Sequence, residues 1–283
     1  MEESAIGSWE MQEFTDIDTA SDSLNSSVIF HVVTDILAFV LYMHHQIPSV
    51  LQDISLEFDE LQKEYKDLEI LLASQAEMKA SLRRKHVSRK REVKQGIRRL
   101  EKLINSVSNF KTALQLLIPQ IPQVQRLILV LGPSPLRPIH LYELCFSSGT
   151  TVSADFVRTK VADGICRKAI RTLISGGAGS NSDSYSGPSK LFLLVKAPSS
   201  LNLPLHFLPK REFRYNKKIA PFKLRFKCRS EQPALNAQVD DPQPASSVLM
   251  NSTSTDNVCK LCRFQCRHII KGLASKSLST EGG

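Results

Sequence analysis

No lysine or arginine occurs from Met1 to Glu60, and no basic start followed by an apolar stretch stands at the N-terminus, so a secretory leader is not expected. Cysteine is scarce, six in 283 residues, and follows no spaced framework through the chain. That excludes a disulfide scaffold and points to a reducing compartment, nucleus or cytoplasm. The only glycine cluster, Gly176-Gly177-Ala178-Gly179, lacks a following Lys-Ser/Thr and opens into serines, which excludes a phosphate-cradling loop. There is no Gly-x-Ser-x-Gly elbow and no His-Glu-x-x-His. His44 and His45 are adjacent, so on a helix they face different directions and cannot act as an i, i+4 ligand pair. No catalytic constellation survives this reading, so neither an enzyme nor a cofactor is expected.

What is present is a polarised charge on an adequate core. Hydrophobic residues make up 42% of the chain, enough for one large domain or two small ones. The first sixty residues hold twelve acids; the rest carries all 37 Lys and Arg against sixteen acids, a net of +21. A basic body of this kind fits an acidic partner, nucleic acid or nuclear import, and charge alone does not choose among them.

Residues 1–27 are acidic and polar, with only Ile6, Trp9, Met11, Phe14 and Ile17 as scattered large apolar groups, so a disordered acidic arm is expected. Those groups are either a short linear motif or part of a solvated tail. Val28 to about Gln46 reads as a helix. Its apolar run is shorter than the roughly 20 residues of a membrane span, and His31, Thr34 and Asp35 lie inside it, so a buried helix is expected rather than a span.

A second helix carries Ile54, Phe58, Leu61, Tyr65, Leu68 and Leu72 at steps of four and three, and a third carries Val93, Ile97, Leu100, Ile104, Val107 and Leu114. Neither lasts the several heptads of an autonomous coiled coil, so a helical hairpin packed on a core is expected. The connector, about 79–92, holds Arg83, Arg84, Lys85, His86, Arg89, Lys90 and Arg91. It is a nuclear-import candidate, a phosphate-binding surface, or simply a solvated loop or helix end. It has no interleaved aromatics, so sequence-specific nucleic-acid recognition is not expected.

Strand signals follow. Leu127 to Leu131 is a continuous apolar run before a Gly132-Pro133-Ser134-Pro135 turn, Leu141 to Phe146 a weaker strand, and Lys190 to Lys196 a central one. In Phe222 to Arg229, apolar residues and cations alternate at period two. A last short strand is expected around Cys262, Phe264 and Cys266. Ser153 as N-cap predicts a helix over Asp155 to Ile174, with Val157, Val161, Ile165, Ala169 and Leu173 inward and Lys160, Asp163, Arg167 and Arg171 outward. Flexible loops are expected at about 175–189 and 232–256, and a disordered tail at 274–283. The order of elements makes the fold class α+β, a single domain over 28–273.

Cys259, Cys262, Cys266 and His268 offer the ligand types of tetrahedral zinc in a C-x2-C-x3-C-x-H spacing. A straight strand cannot fold four ligands about one ion, and Cys262 and Cys266 share the inward face with Phe264, so no metal is expected. The alternative is a zinc-dependent nucleic-acid-binding module built on these four residues and the basic run.

The segments Ile36 to Pro48 and Val124 to Gly132, followed by Leu141-Tyr142-Glu143-Leu144, resemble the comet-type HORMA proteins. Phe222 to Cys228 and Phe264 to Gly272, with its closing Lys271-Gly272, are similar to the paired strands of that family's C-terminal half. The resemblance implies a HORMA-like fold, with helices on one face of a mostly antiparallel sheet. It implies a C-terminal safety belt containing Cys262, Phe264, Cys266 and His268. It further implies an adaptor that binds the closed form of a mitotic-arrest-deficient HORMA checkpoint protein and presents it to a pachytene-checkpoint-type AAA+ ATPase. Meiotic axis HORMA proteins are further implied partners, and the client contacts would be Met43, Arg167, Ile170 and Arg171.

Overall fold

A computed structural model describes residues 13–273, except 20, 22, 75–78, 122–125, 147–154, 179–186, 211–212, 214, 217–218 and 230–260. The expectations for residues 1–12, for most of the two loops, for the tail, and for Ser153 and Cys259 therefore lie outside the described residues.

Helix α1, Ser26–Met43, starts where the Asn25 side chain accepts from the Val28 amide, an N-cap one turn before the apolar run. Its length and composition alone would suit a membrane span, yet Val32, Val33, Ile36, Leu37, Val40 and Leu41 are wholly buried inside the protein. Helices α2, Leu51–Ser74, and α3, Ala80–Leu117, form the expected hairpin. The expected connector is a finding of a different kind: Arg83 to Arg91 are helical, the first turns of α3. The physical reason is that Arg, Lys and Glu are good helix formers and nothing between 80 and 95 breaks the helix. The acidic face of α2 also answers the cations, with Arg89 Nε 2.6 Å from Glu64 Oε1 and Lys90 Nζ 2.9 Å from Glu69 Oε1.

The sheet has eight strands in the order β1-β6-β3-β2-β4-β7-β5, with β8 also on β4. They are β1 Thr15–Asp18, β2 Arg126–Gly132, β3 His140–Phe146, β4 Lys190–Pro198, β5 Phe207–Pro209, β6 Phe222–Lys227, β7 Leu261–Cys266 and β8 Ile270–Lys271. The pairings β1 with β6 and β3 with β6 are parallel, and the others are antiparallel, so the sheet is mixed and the fold is α+β. Residues 15–18, expected within a disordered arm, form the edge strand β1. There Ile17 enters the core and Thr19 donates to the Lys227 carbonyl through both its amide and its hydroxyl.

Leu127, Leu129 and Leu131 of β2, Tyr142 and Leu144 of β3 and Leu191, Leu193 and Val195 of β4 face the main core with α1, α3 and α4 (Lys160–Ser175). On the opposite face, Val130, Leu141, Phe192 and Leu194 are covered by Phe213, with Tyr215, Ile219 and Ile269 packed beside them. The continuous apolar runs of β2 and β4 are thus explained: both faces need apolar side chains.

Candidate functional site

Helix α4 begins later than the sequence suggests. Its N-cap is Thr159, whose hydroxyl accepts from the Ala162 amide, and residues 155–159 are irregular. The buried face is Ala162, Ile165, Cys166, Ala169 and Leu173. Val157 and Val161, expected inward, are 66% and 48% exposed: Val157 precedes the helix, and Val161 stands at the flank of the face that Ala162, Ile165 and Ala169 bury. Ile174, 57% exposed, adds an apolar group to the outward side of α4 beside Arg167 and Arg171.

Arg158 anchors this helix to α1. Its Nη1 and Nη2 donate to the two oxygens of Asp35 at 3.1 and 2.7 Å, and Nε donates to Asp163 at 2.6 Å. The hydrogen bonds to Asp35 raise the guanidinium further above its ordinary range, with Asp163 adding to it. A bidentate fork fixes direction as well as distance, so the outward face of α4 is presented at a set angle. Behind it, burial pushes up the Cys166 thiol, which removes it as a thiolate nucleophile at neutral pH.

Of the four residues assigned to client contact, Arg167 and Arg171 are exposed on α4 and Ile170 is half-buried between them. Arg167 Nε donates to the Asp163 carbonyl of its own helix at 3.3 Å. Met43 is at the end of α1, half-buried and packed on the core. Sequence reasoning missed Arg158 and took Val157 and Val161 as inward; the signal for the later start was Thr159, which competes with Ser153 as N-cap.

The C-terminal segment lies along β4. Its β7 pairs antiparallel from Leu194↔Gln265 to Pro198↔Leu261, and β8 pairs at Lys190↔Lys271 and Leu191↔Ile270. Phe264, Cys266 and Ile270 enter the main core, and Cys262 packs at its margin. Full burial of such an apolar side chain contributes about 1.5–3 kcal/mol. Beyond β8 the Gly272 amide donates to Ser189 O at 2.8 Å and the Leu273 amide to Gln46 O at 2.7 Å. Gln46 is buried, accepts from the Ser189 amide at 2.6 Å and donates to His44 O at 2.8 Å, so the end of α1, the start of β4 and the chain's last described residues meet at one side chain.

Next to it, His44 Nε2 is 2.6 Å from the Tyr142 hydroxyl and its ring stacks on His140 at 3.8 Å. Burial, followed by the neighbouring His140, lowers the His44 pKa to about 3. Burial alone lowers His140 and raises Tyr142. His44 is therefore neutral at neutral pH, part of a buried hydrogen-bonded group.

The alternative metal set is spread out. Cys262 and Cys266 are four residues apart on an extended strand, about 13 Å, and burial pushes Cys266 up to about 11. His268 turns away to His206, its Nε2 2.9 Å from His206 Nδ1. Among the described residues no group of three or more His, Cys, Asp or Glu is gathered for a metal ion.

In the basic run Arg83, Arg84, Lys85 and Arg91 are exposed, whereas Arg89 and Lys90 are engaged by α2. No protein-family model matches this chain, and no curated protein matches it either.

Proposed function

We propose that this chain is a non-enzymatic adaptor of the comet-type HORMA kind. It binds the closed form of a mitotic-arrest-deficient HORMA checkpoint protein through the outward face of α4. It presents that client to a pachytene-checkpoint-type AAA+ ATPase and so silences the spindle assembly checkpoint. Meiotic axis HORMA proteins are further clients, and the protein works in the nucleus and cytoplasm, with the exposed cations at the start of α3 as the import signal.

The observation that carries this reading is the C-terminal segment. The chain leaves β6 on one side of the central strands and returns as β7 on the other, where β7 and β8 both pair with β4 and the end seats on Gln46. Such a strand-adding belt, in its closed arrangement, builds a rigid platform for a ligand of related fold. The outer side of α4 has the composition of an interface centre: Arg167 and Arg171 beside Ile170 and Ile174. Energy for remodelling comes from the ATPase, and this chain supplies selectivity for the closed client.

The test is the double variant Arg167→Glu/Arg171→Glu, with folding followed by circular dichroism. A buried arginine anchor is worth about 2 kcal/mol or more, so client binding should fall at least about thirtyfold. Unchanged binding, or a pulldown from mitotic extract that recovers neither a HORMA protein nor the ATPase, removes the reading.

A further inference from the structure

The face of the sheet opposite the helices carries a line of cations that runs across the strands and is invisible along any one of them. The registers pair Cys145 with Arg225, Arg126 with Lys196, and Lys196 with Arg263, and Leu127↔Leu144 sets Arg126 beside Cys145. Residues directly opposite one another share a face, so Arg225, Cys145, Arg126, Lys196 and Arg263 form one transverse row on β6, β3, β2, β4 and β7. At about 4.8 Å per strand the row is about 19 Å long. Lys223 and Lys227 flank it on β6.

The carboxylates in these registers are fewer, and two of them are occupied. Glu143 sits 2.6 Å from Arg126 Nε, and Asp16 is held by Lys227 with Arg225 Nη1 at 3.8 Å. Lys196 is half-buried and Arg263 is exposed, with its Nη1 donating to Phe213 O at 3.3 Å. The apolar cluster around Phe213 and Tyr215 covers the neighbouring part of the same face, so that the cations form a shelf along a wall, its β6 end lying under the Phe14 ring.

We infer that this shelf binds an extended acidic polypeptide segment of a partner, on the side of the protein opposite α4. In an extended strand alternate side chains lie about 6.7 Å apart on one face, so about six residues with three carboxylates match the row. A nucleic acid fits less well. The row is a single line, where a duplex presents two, and a single strand needs free aromatic faces on which to stack. Phe14 is engaged by Arg225, Lys223 and Arg126 at 4.7, 5.3 and 5.8 Å, and Tyr215 packs on the apolar cluster.

The experiment uses the full chain and a fluorescein-labelled decapeptide of alternating Glu and Ser, with an alternating Lys and Ser peptide and a single-stranded DNA decamer as comparisons. Anisotropy should show binding of the acidic peptide that weakens as salt rises. Lys196→Glu/Arg225→Glu should weaken it at least tenfold, and Lys196→Gln/Arg225→Gln, which adds no repulsion toward Asp16 and guards against misfolding, about threefold. Arg91→Glu/Arg98→Glu on the solvent side of α3 makes the same change in net charge and should alter it less than twofold. Equal losses in the sheet and α3 variants, no binding by the wild type, or DNA binding tighter than the acidic peptide and lost in the same variants would overturn the proposal.

Discussion

The amide oxygen of Gln46 fills the space that a side chain at Gly272 would need: a Cβ there would lie 2.3 Å from Gln46 Oε1. That oxygen cannot simply move, because it accepts from the Ser189 amide and the other end of the amide donates to His44 O. Gly272→Ala should therefore cost about 1–3 kcal/mol and detach the last strand. Native-state hydrogen exchange checks this, since the Ile270 and Lys271 amides of β8 should lose protection before those of β4. Unaltered protection would show that the approach is less close than described.

His45 is the one described residue other than glycine with positive φ, 53°. It closes α1 in a Schellman arrangement, with its amide on Tyr42 O at 3.0 Å and that of Gln46 on Leu41 O at 2.8 Å. A left-handed L-residue costs about 1–2 kcal/mol that glycine avoids, partly offset by glycine's greater unfolded-chain entropy. His45→Gly should raise stability by about 0.5–1 kcal/mol in urea unfolding, and a loss of stability would contradict the cap.

Acid should weaken this fold before its carboxylates titrate. His44 is neutral when folded down to about 3, while the unfolded chain takes up that proton near 6.5. Stability is therefore fully present above about 6.5 and falls as pH drops toward 3, by about 1.4 kcal/mol per unit from this residue. His140, lowered by burial, acts in the same direction. Denaturant midpoints at pH 7 and 5 should differ, by about 2 kcal/mol from His44, and His44→Asn should flatten the slope. An equal slope in the variant would place the effect elsewhere.

The pairs that tie α2 to the start of α3 are exposed, so their worth is small. Arg89→Glu should cost less than about 1 kcal/mol in global unfolding, and Glu64→Arg added to it should restore most of the loss. The hydrogen bond and charge of Glu64, which raise the Arg89 pKa, are the interaction being swapped. Failure of the second change to compensate would mean that the two side chains do not act as a pair.

The helices of the hairpin, α1, and the strands β2, β4, β6 and β7 are legible in the sequence because burial imposes a period on many residues at once. Four-residue β1 carries a single buried apolar group, Ile17, among acids, and three-residue β5 ends in Pro209, so neither has a period to read. Cations from Arg83 to Arg91 look like a connector until the acids of α2 are placed beside them. The shift of α4 from Ser153 to Thr159 turned on one cap among two eligible residues. On α4, the outward position of Arg167 and Arg171 could be read from helix spacing. Gln46 could not, since its partners Ser189 and Leu273 are brought to it only by the closed sheet.

Strand β1 has consequences for how the molecule is made. The Thr19 to Lys227 contact spans 208 positions, so the edge strand waits, unpaired, until β6 has followed it from the ribosome. Meanwhile its eventual neighbour presents Lys223, Arg225 and Lys227 at alternate positions, a spacing that repels stray strands during synthesis.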